Sequence, residues 1–161
     1  MRRKSNARAK NGLSEPEGPK LLFEELDVLL GYHMRRAQGA MHRDYMASVA
    51  SLNLTQKQTA TLWLVHANPG ISQVSIAAAL GMDRATMMSV TDCLEDRELL
   101  VRKRSSVDRR CKELHLTPAG QNILRKAKTR IAEHEARFKA LFTPTELARL
   151  LAALQKFQRI R

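Results

Sequence analysis

Basic side chains cluster between Arg102 and Lys112, and their chemistry is that of phosphate binding. Six residues in this stretch are basic and one, Asp108, is acidic, which leaves five net positive charges. Guanidinium and ammonium groups pair with phosphate oxygens, and the affinity gained weakens as salt rises. Asp108 can hydrogen-bond a neighbouring cation or turn amides, and so present Arg109 or Arg110 outward. The stretch is therefore predicted to bind a polyanion.

Overall composition favours nucleic acid as that polyanion. The chain has 161 residues, 28 basic against 16 acidic, with a formal net charge of +12. A small protein this basic usually meets nucleic acid, although a merely solvated basic surface is the alternative. A hydrophobic content of 43% is enough for one domain with a core.

Other classes of protein lack their signatures here. No apolar run approaches the roughly 18 residues of a membrane span, and no apolar segment of a secretion signal follows the charged N-terminus. Cys93 and Cys111 are too few for a disulfide framework. The histidines, cysteines and glycines match no metal, nucleophile-elbow or phosphate-loop motif. We expect a cytoplasmic protein that is not an enzyme, with no catalytic residue, metal, cofactor or membrane partner.

The elements that must position the basic cluster can be read from periodicity. Residues 1–19 are basic and nearly free of large apolar side chains, which predicts a disordered tail. Apolar residues recur every three or four positions from about residue 21 to residue 51, which predicts one long amphipathic helix. Thr55 and Gln58 form a capping box for a second helix, and Ser72 and Asp83 can cap two more.

After Leu99 the pattern changes to alternation. Residues 100–104 and 112–116 are predicted to pair as a hairpin. Thr117-Pro118 restarts a helix to about residue 142, and Thr143 with Glu146 begins the last helix. The predicted fold is mainly α with a small β-hairpin: a winged helix-turn-helix between long N- and C-terminal helices.

The helix-turn-helix is predicted between Ser72 and about Arg97, with a turn at Gly81. In such motifs the N-terminal part of the second helix reads base edges. Here Arg84 can pair with a guanine edge, and hydroxyls can reach a base or a phosphate. The positions predicted to face outward are Arg84, Ala85, Thr86, Met88 and Ser89.

These residues together resemble the MarR family of bacterial transcription regulators, over about residues 21–157. The resemblance is carried by the run from Leu80 through Thr86, by Leu94-Glu95, Arg97 and Leu99, by the wing tip Asp108-Arg109-Arg110, and by Leu116-Thr117-Pro118-Ala119-Gly120. Glu98 stands where the family commonly has glycine. The resemblance implies a homodimer on a pseudo-palindromic site in double-stranded DNA. It also implies a single domain over residues 20–161, in which residues 20–53 and 118–161 dimerise and residues 54–117 form the winged lobe.

Several DNA contacts are implied by the same resemblance. Arg110 matches the wing arginine that enters the minor groove, and Asp108 matches its partner. The complete set of predicted DNA-binding residues is Ser72, Gln73, Arg84, Ala85, Thr86, Ser89, Arg104, Asp108, Arg109, Arg110 and Lys112.

The resemblance further implies a ligand-released repressor. Family members often bind small aromatic anions between the dimer stalk and the winged lobe, and the run from Tyr32 to Gln38 resembles the branch that controls hydroxycinnamate-type aromatic-acid catabolism. An aromatic carboxylate or an aromatic acyl-CoA is the expected effector, with arginines for its charge and Tyr32 or Trp63 for its ring. The candidate residues are Tyr32, His33, Arg35, Arg36, Trp63 and His66. Alternatively His33 is an ordinary interface histidine, the arginines are solvated or paired between subunits, and Trp63 belongs to the core.

Two other regulators remain open at this stage. Some relatives sense oxidants through cysteine. Cys111 lies beside Arg110 and Lys112, where cations can lower a thiol pKa, while Cys93 is expected to be a small buried side chain. A DNA-binding protein without an effector is the other alternative.

Overall fold

The structure is a computed structural model that describes residues 23–104, 112–157 and 159. Within these residues it contains helices and one antiparallel hairpin, in the order predicted. The elements are α1 (Leu30–Val49), α2 (Gln56–Ala67), α3 (Gln73–Leu80), α4 (Arg84–Asp96), β1 (Leu100–Arg104), β2 (Lys112–Leu116), α5 (Pro118–Lys139) and α6 (Pro144–Phe157). None of the helices in the described part of the chain is both long and apolar enough to cross a membrane.

The chain divides into two compact units, Met1–Arg35 and Arg36–Arg161. The first unit contains a short 3-10 helix at Leu26–Val28 and the start of α1. Everything from the remainder of α1 to the C-terminus belongs to the second unit.

The prediction of one helix from about residue 21 to residue 51 was wrong at its start. Glu24 has a left-handed backbone with φ of 47°. Leu29 is extended, with φ of −77° and ψ of 121°. Neither conformation continues an α-helix, so α1 begins only at Leu30. At the other end Asn53 is left-handed, with φ of 49°, and separates α1 from α2 as predicted.

The predicted starts of α2, α3 and α4 were confirmed. The Thr55 side chain accepts from the Gln58 amide, and the Gln58 side chain accepts from the Thr55 amide, which completes the capping box of α2. The Ser72 side chain caps α3 by accepting from the Ser75 amide, and the Asp83 side chain caps α4 by accepting from the Thr86 amide. Such caps satisfy amides that otherwise lack a partner in the first turn.

The core of the second unit lies where α2, α3, α4 and α5 meet the hairpin. Ile76 of α3 and Met87, Val90 and Leu94 of α4 are buried in it. The buried apolar cluster consists of Leu54, Leu62, Val65, Ile76, Met87, Val90, Leu94, Leu99, Leu100, Leu114, Leu124 and Ala127.

Helix α4 ends in a left-handed residue that is not glycine. Glu98 is left-handed, with φ of 55°. Its amide donates to the Glu95 carbonyl at 2.8 Å, and the Leu99 amide donates to the Leu94 carbonyl at 2.9 Å. This pair of bonds is the Schellman motif, which normally places glycine at the left-handed position. Helix α3 ends in the same motif with a glycine, Gly81, at φ of 61°.

The base of the hairpin is seated on the first turn of α5. The Thr117 amide donates to the Leu99 carbonyl at 3.2 Å, and the Thr117 hydroxyl donates to the Glu98 carbonyl at 2.6 Å. A Cβ atom placed on Gly120 would lie 1.8 Å from the Leu99 carbonyl oxygen. The leucine-threonine-x-x-glycine sequence therefore joins the end of α4, the start of β1 and the start of α5.

The other side of the hairpin is held by the segment before α3. The Gly70 amide donates to the Leu114 carbonyl at 3.0 Å, and the Leu114 amide donates to the Ile71 carbonyl at 3.1 Å. Ser72 and Glu113 form a further antiparallel bridge. The strands and both helices of the helix-turn-helix thus form one connected body.

Candidate nucleic-acid interface

The start of α4 is built around the carboxylate of Asp83. One oxygen accepts from the Thr86 amide at 2.8 Å and the other from the Thr86 hydroxyl at 2.7 Å. These bonds, the amide first, hold the pKa of Asp83 below its ordinary value, so the cap is ionised at neutral pH. Because its hydroxyl already donates to Asp83, Thr86 fixes the helix start, and base reading by Thr86 stays a prediction.

The outward face of α4 is exposed along its length. Arg84, Ala85 and Ser89 are exposed, as predicted from their spacing. Met88 lies on the same face and is 53% exposed, which is unusual for so apolar a side chain. The face borders a shallow depression of about 450 Å³, lined by Ala85, Met88, Ser89, Asp92, Cys93, Asp96 and Arg97.

The two candidates on α3 are less accessible. Ser72 and Gln73 are half-buried at the helix start. The Ser72 oxygen accepts from the Ser75 amide at 3.1 Å and lies 2.8 Å from the Ser75 hydroxyl. Ser72 therefore has a capping role whether or not it also contacts DNA.

Two cations face each other at the outer end of the described hairpin. Arg104 and Lys112 are directly opposite in the antiparallel register, and both are exposed. Like charges at such positions are unfavourable unless an anion lies between or beside them, and a phosphate is such an anion. Asp108, Arg109 and Arg110, predicted at the wing tip, lie outside the described residues, as does Cys111.

Arg102, counted above among the phosphate-binding cations, instead contacts α4. Its guanidinium donates to Glu95, to Asp92 at 2.5 Å and to the Thr91 hydroxyl at 2.6 Å, and its amide donates to Glu95 at 3.2 Å. The side chain is only 15% exposed. Sequence reasoning missed this cluster, although acids three residues apart on one helix face were a usable signal.

A second polar cluster joins α1 to α5 and was also not predicted. Asp44 accepts from Arg137 at 2.6 Å and lies 2.6 Å from Nδ1 of the buried His134. Arg137 also donates to the Ser48 hydroxyl at 2.8 Å. The hydrogen bond from Arg137, and after it that from His134, lowers the pKa of Asp44 below its ordinary 3.8. The cluster holds the second half of α1 against α5.

Two candidate effector residues of the first unit, Tyr32 and His33, contact other residues of the same unit. The Tyr32 ring lies 6.1 Å from the Phe23 ring and 5.5 Å from the His33 ring. His33 Nε2 is within hydrogen-bond distance of the Asp27 carbonyl, and Arg35 is exposed. These contacts are compatible with an ordinary structural histidine and leave the effector role a prediction.

Trp63, in the second unit, does not belong to the core, contrary to the alternative considered above. It is 39% exposed, and the Lys128 ammonium lies 4.8 Å from its ring centroid. Arg36 and His66 are exposed as well. An exposed indole beside an ammonium suits an aromatic anion, so Lys128 joins the candidates that sequence analysis missed.

Cys93 is not fully buried, contrary to expectation. It is partly exposed because it lies at the edge of α4, where it borders a cavity of about 250 Å³ near the start of α2. The side-chain nitrogen Nε2 of Gln58 lies 3.1 Å from the sulfur of Cys93. No group of three or more His, Cys, Asp or Glu side chains among the described residues could hold a metal ion.

Comparison with known proteins agrees with this arrangement. Residues 54–112 match the MarR family. A protein of Thauera aromatica assigned as a transcriptional regulatory protein for the hcr operon is 31% identical over 131 residues, which are 81% of this chain and 79% of that protein. The structure of the transcriptional repressor CouR bound to a 23-mer DNA duplex has a TM-score of 0.82 and 40% identity, over 87% of this chain and 99% of CouR. CouR bound to p-coumaroyl-CoA has a TM-score of 0.81 and 38% identity, over 88% and 100% of the two chains.

Proposed function

Because this chain belongs to the MarR family of transcription regulators, we propose that it is a homodimeric repressor released from its operator by an aromatic acyl-CoA or a small aromatic anion. One observation carries the proposal. CouR, 38–40% identical over nearly its whole length, has been seen both on a DNA duplex and with p-coumaroyl-CoA. The same two classes of ligand are proposed for this chain.

On DNA, α4 enters the major groove and the hairpin lies over the adjacent backbone and minor groove. Support comes from the exposed Arg84, Ala85 and Ser89 on α4 and from the facing cations Arg104 and Lys112. The winged lobe is assigned to residues 54–117. Residues 1–19, predicted to be a basic disordered tail, lie outside the described residues. In the dimer the two copies of α4 lie about one DNA turn apart, roughly 34–36 Å, on a pseudo-palindromic operator.

Dimerisation is assigned to residues 20–53 and 118–161. Helix α6 contains no buried residue, although one of its faces is strongly apolar. Its apolar side chains are between one-third and one-half exposed, and so large an apolar surface is usually covered by a partner. These side chains are Leu150, Leu151, Leu154 and Phe157.

The dimer assignment is tested by sedimentation of the full chain. Leu151→Glu should shift the dimer toward monomer at micromolar concentration, because it places a charge in the apolar contact. Gln155→Glu adds the same charge at an exposed polar position of α6 and should leave the dimer intact. Equal dissociation of both variants contradicts the assigned face.

The effector is proposed to contact arginines and aromatic side chains of α1 and α2. A carboxylate or the CoA phosphates would pair with guanidinium groups, and the aromatic ring would stack on an exposed ring. Effector binding favours a dimer in which the spacing of the two α4 helices no longer matches the operator. It thereby shifts an existing equilibrium between DNA-binding and non-binding conformations of the dimer. The proposed contacts are Tyr32, His33, Arg35, Arg36, Trp63 and His66.

The central test is fluorescence anisotropy on DNA from the region upstream of the protein's own gene, against scrambled DNA. p-Coumaroyl-CoA, p-coumarate and CoA alone are titrated into each complex. Selective binding that the thioester reverses, and CoA alone does not, supports the proposal. Selective binding that none of a wider panel of aromatic acids and thioesters reverses contradicts the effector assignment. Equal binding to both DNAs contradicts the operator assignment.

A further inference from the structure

Arg102 holds together two elements that must reach DNA at the same time. It lies on β1, and its side-chain partners Thr91, Asp92 and Glu95 lie along the second half of α4. The planar guanidinium presents its donors in a rigid fork that fits these acceptors, whereas a lysine ammonium is a single charge on a flexible stem. With its amide also bonded to Glu95, Arg102 anchors the strand to this helix at two points.

The acids in this cluster are a liability on a DNA-binding helix. The side chains of Asp92 and Glu95 are 51% and 36% exposed, so each carboxylate remains close to the solvent that DNA would replace. An unpaired carboxylate facing phosphates is repelled, and the repulsion grows as water is excluded. Arg102 compensates one of these charges directly and fixes the position of both.

Arg102 is also poorly placed to bind phosphate itself. Its side chain is 15% exposed, and both terminal nitrogens already donate to oxygens of α4. Arg104, two residues further along the same strand, is exposed, and the described residues place no carboxylate against its side chain. The two arginines therefore differ in what they contact, although both belong to the same basic stretch.

We propose that Arg102 is a positioning residue for DNA binding, which acts through Asp92 and Glu95 and makes no phosphate contact of its own. The inference rests on the proposed placement of α4 in the groove. Its physical content is that the cost of losing Arg102 depends on the presence of the two carboxylates. A phosphate-binding arginine has no such dependence.

A double-mutant cycle on the full chain tests this dependence. Arg102→Met is introduced into the wild type and into Asp92→Asn/Glu95→Gln, and the Kd for upstream DNA is measured by anisotropy. We expect a loss of about tenfold or more in the wild-type background, because carboxylates are left unpaired. In the Asp92→Asn/Glu95→Gln background the same substitution should raise the Kd less than about threefold, because no carboxylate is left unpaired there. Equal losses in both backgrounds overturn the proposal.

Arg104→Met is the matched control, because it removes the same charge from the same strand. Its cost should be similar in both backgrounds, and the slope of log K against log salt should fall by about 0.9, as for one lost phosphate contact. The triple variant Arg102→Met/Asp92→Asn/Glu95→Gln should keep the wild-type slope. A triple variant whose slope falls by about 0.9 reveals a phosphate contact of Arg102 and overturns the proposal.

Effects on folding are separated from effects on binding. Circular dichroism gives the folded fraction, and a stoichiometric titration gives the active fraction, at a temperature below every unfolding transition. A merely structural role lowers these fractions and leaves the Kd and salt slope of the active protein unchanged, which contradicts the proposal. If Arg102→Met does not fold, the slope of the triple variant still decides. If the wild-type protein binds upstream and scrambled DNA equally, the proposed function itself is wrong. If the wild type is selective but the losses for Arg102→Met are equal in both backgrounds, only the role proposed for Arg102 is wrong.

Discussion

Replacing Glu98 with glycine should make the protein more stable, although it removes a whole side chain. Glu98 occupies the left-handed position of a Schellman motif at φ of 55°. The corresponding position after α3 is occupied by Gly81 at φ of 61°. The same left-handed turn is thus formed by glycine after α3, where it costs little, and by glutamate after α4, where the Cβ atom makes it unfavourable.

The size of the gain follows from two opposing effects. A residue with a Cβ atom loses about 1–2 kcal/mol in the left-handed region relative to the right-handed one. Glycine offsets part of this by about 0.4–1 kcal/mol, because its unfolded chain is freer. We therefore expect Glu98→Gly to raise the free energy of unfolding by about 0.5–1 kcal/mol, which corresponds to a Tm increase of about 1–4 °C for a chain of this size.

Urea and thermal unfolding at one fixed protein concentration measure the effect. Glu98→Ala is the first control, since it removes the same side chain and keeps the backbone cost. Gly81→Ala is the second, and it should destabilise by about 1 kcal/mol through φ alone. No atom lies within 4 Å of a Cβ added at Gly81, so a clash cannot account for that loss. A Glu98→Gly protein no more stable than Glu98→Ala refutes the argument from backbone conformation.

Three further predictions concern other positions. Gly120→Ala should destabilise by about 2–3 kcal/mol in urea unfolding, because its Cβ would lie 1.8 Å from the Leu99 oxygen; a loss below about 0.5 kcal/mol would show that this junction yields easily. The hydrogen bond from Arg137, more than any other interaction, lowers the pKa of Asp44 in the folded state below its ordinary value of 3.8. The ionised carboxylate therefore stabilises the fold at pH values above 3.8, and this stabilisation is lost as the pH falls through the folded-state pKa. Asp44→Asn should thus destabilise at neutral pH and approach the wild type in acid, and a difference independent of pH argues against the mechanism. Arg110→Ala should weaken operator binding by roughly 1–3 kcal/mol at matched salt, and an unchanged affinity removes the wing assignment.

Signals confined to a few neighbouring residues predicted the fold well. The capping of α2 by Thr55 and Gln58 depends on residues three apart, and so does the capping of α4 by Asp83. The two strands were predicted at the residues where they occur, because alternation along one strand is also local. The start of α1 was mispredicted because the apolar spacing continues through Glu24 and Leu29, whose backbones leave the helical region.

Contacts between distant residues could not be obtained in the same way. The bond between Asp44 and His134 joins residues 90 positions apart, and nothing in either local sequence pairs them. Arg102 looked like one more cation of a basic stretch because its partners depend on how the turn at Glu98 folds β1 back along α4. The effector residues and the wing tip from Asp108 to Arg110 are still predictions, since they rest on resemblance.

The seat of the hairpin on α5 has a mechanical consequence. Close contacts at Leu99, Thr117 and Gly120 tie the base of the strands to α5, and the bonds to residues 70–72 tie the same strands to the helix-turn-helix, so we expect the hairpin and this lobe to turn with α5 as one lever. Each strand has five residues, and at about 3.4 Å per residue the lever arm is about 17 Å. A tilt of about 10° at the first turn of α5 then displaces the far end of the hairpin by about 3 Å, the length of a hydrogen bond. We therefore expect a small rearrangement among the helices that bear on α5 to displace Arg104 and Lys112 far enough to make or break the phosphate contacts proposed for them.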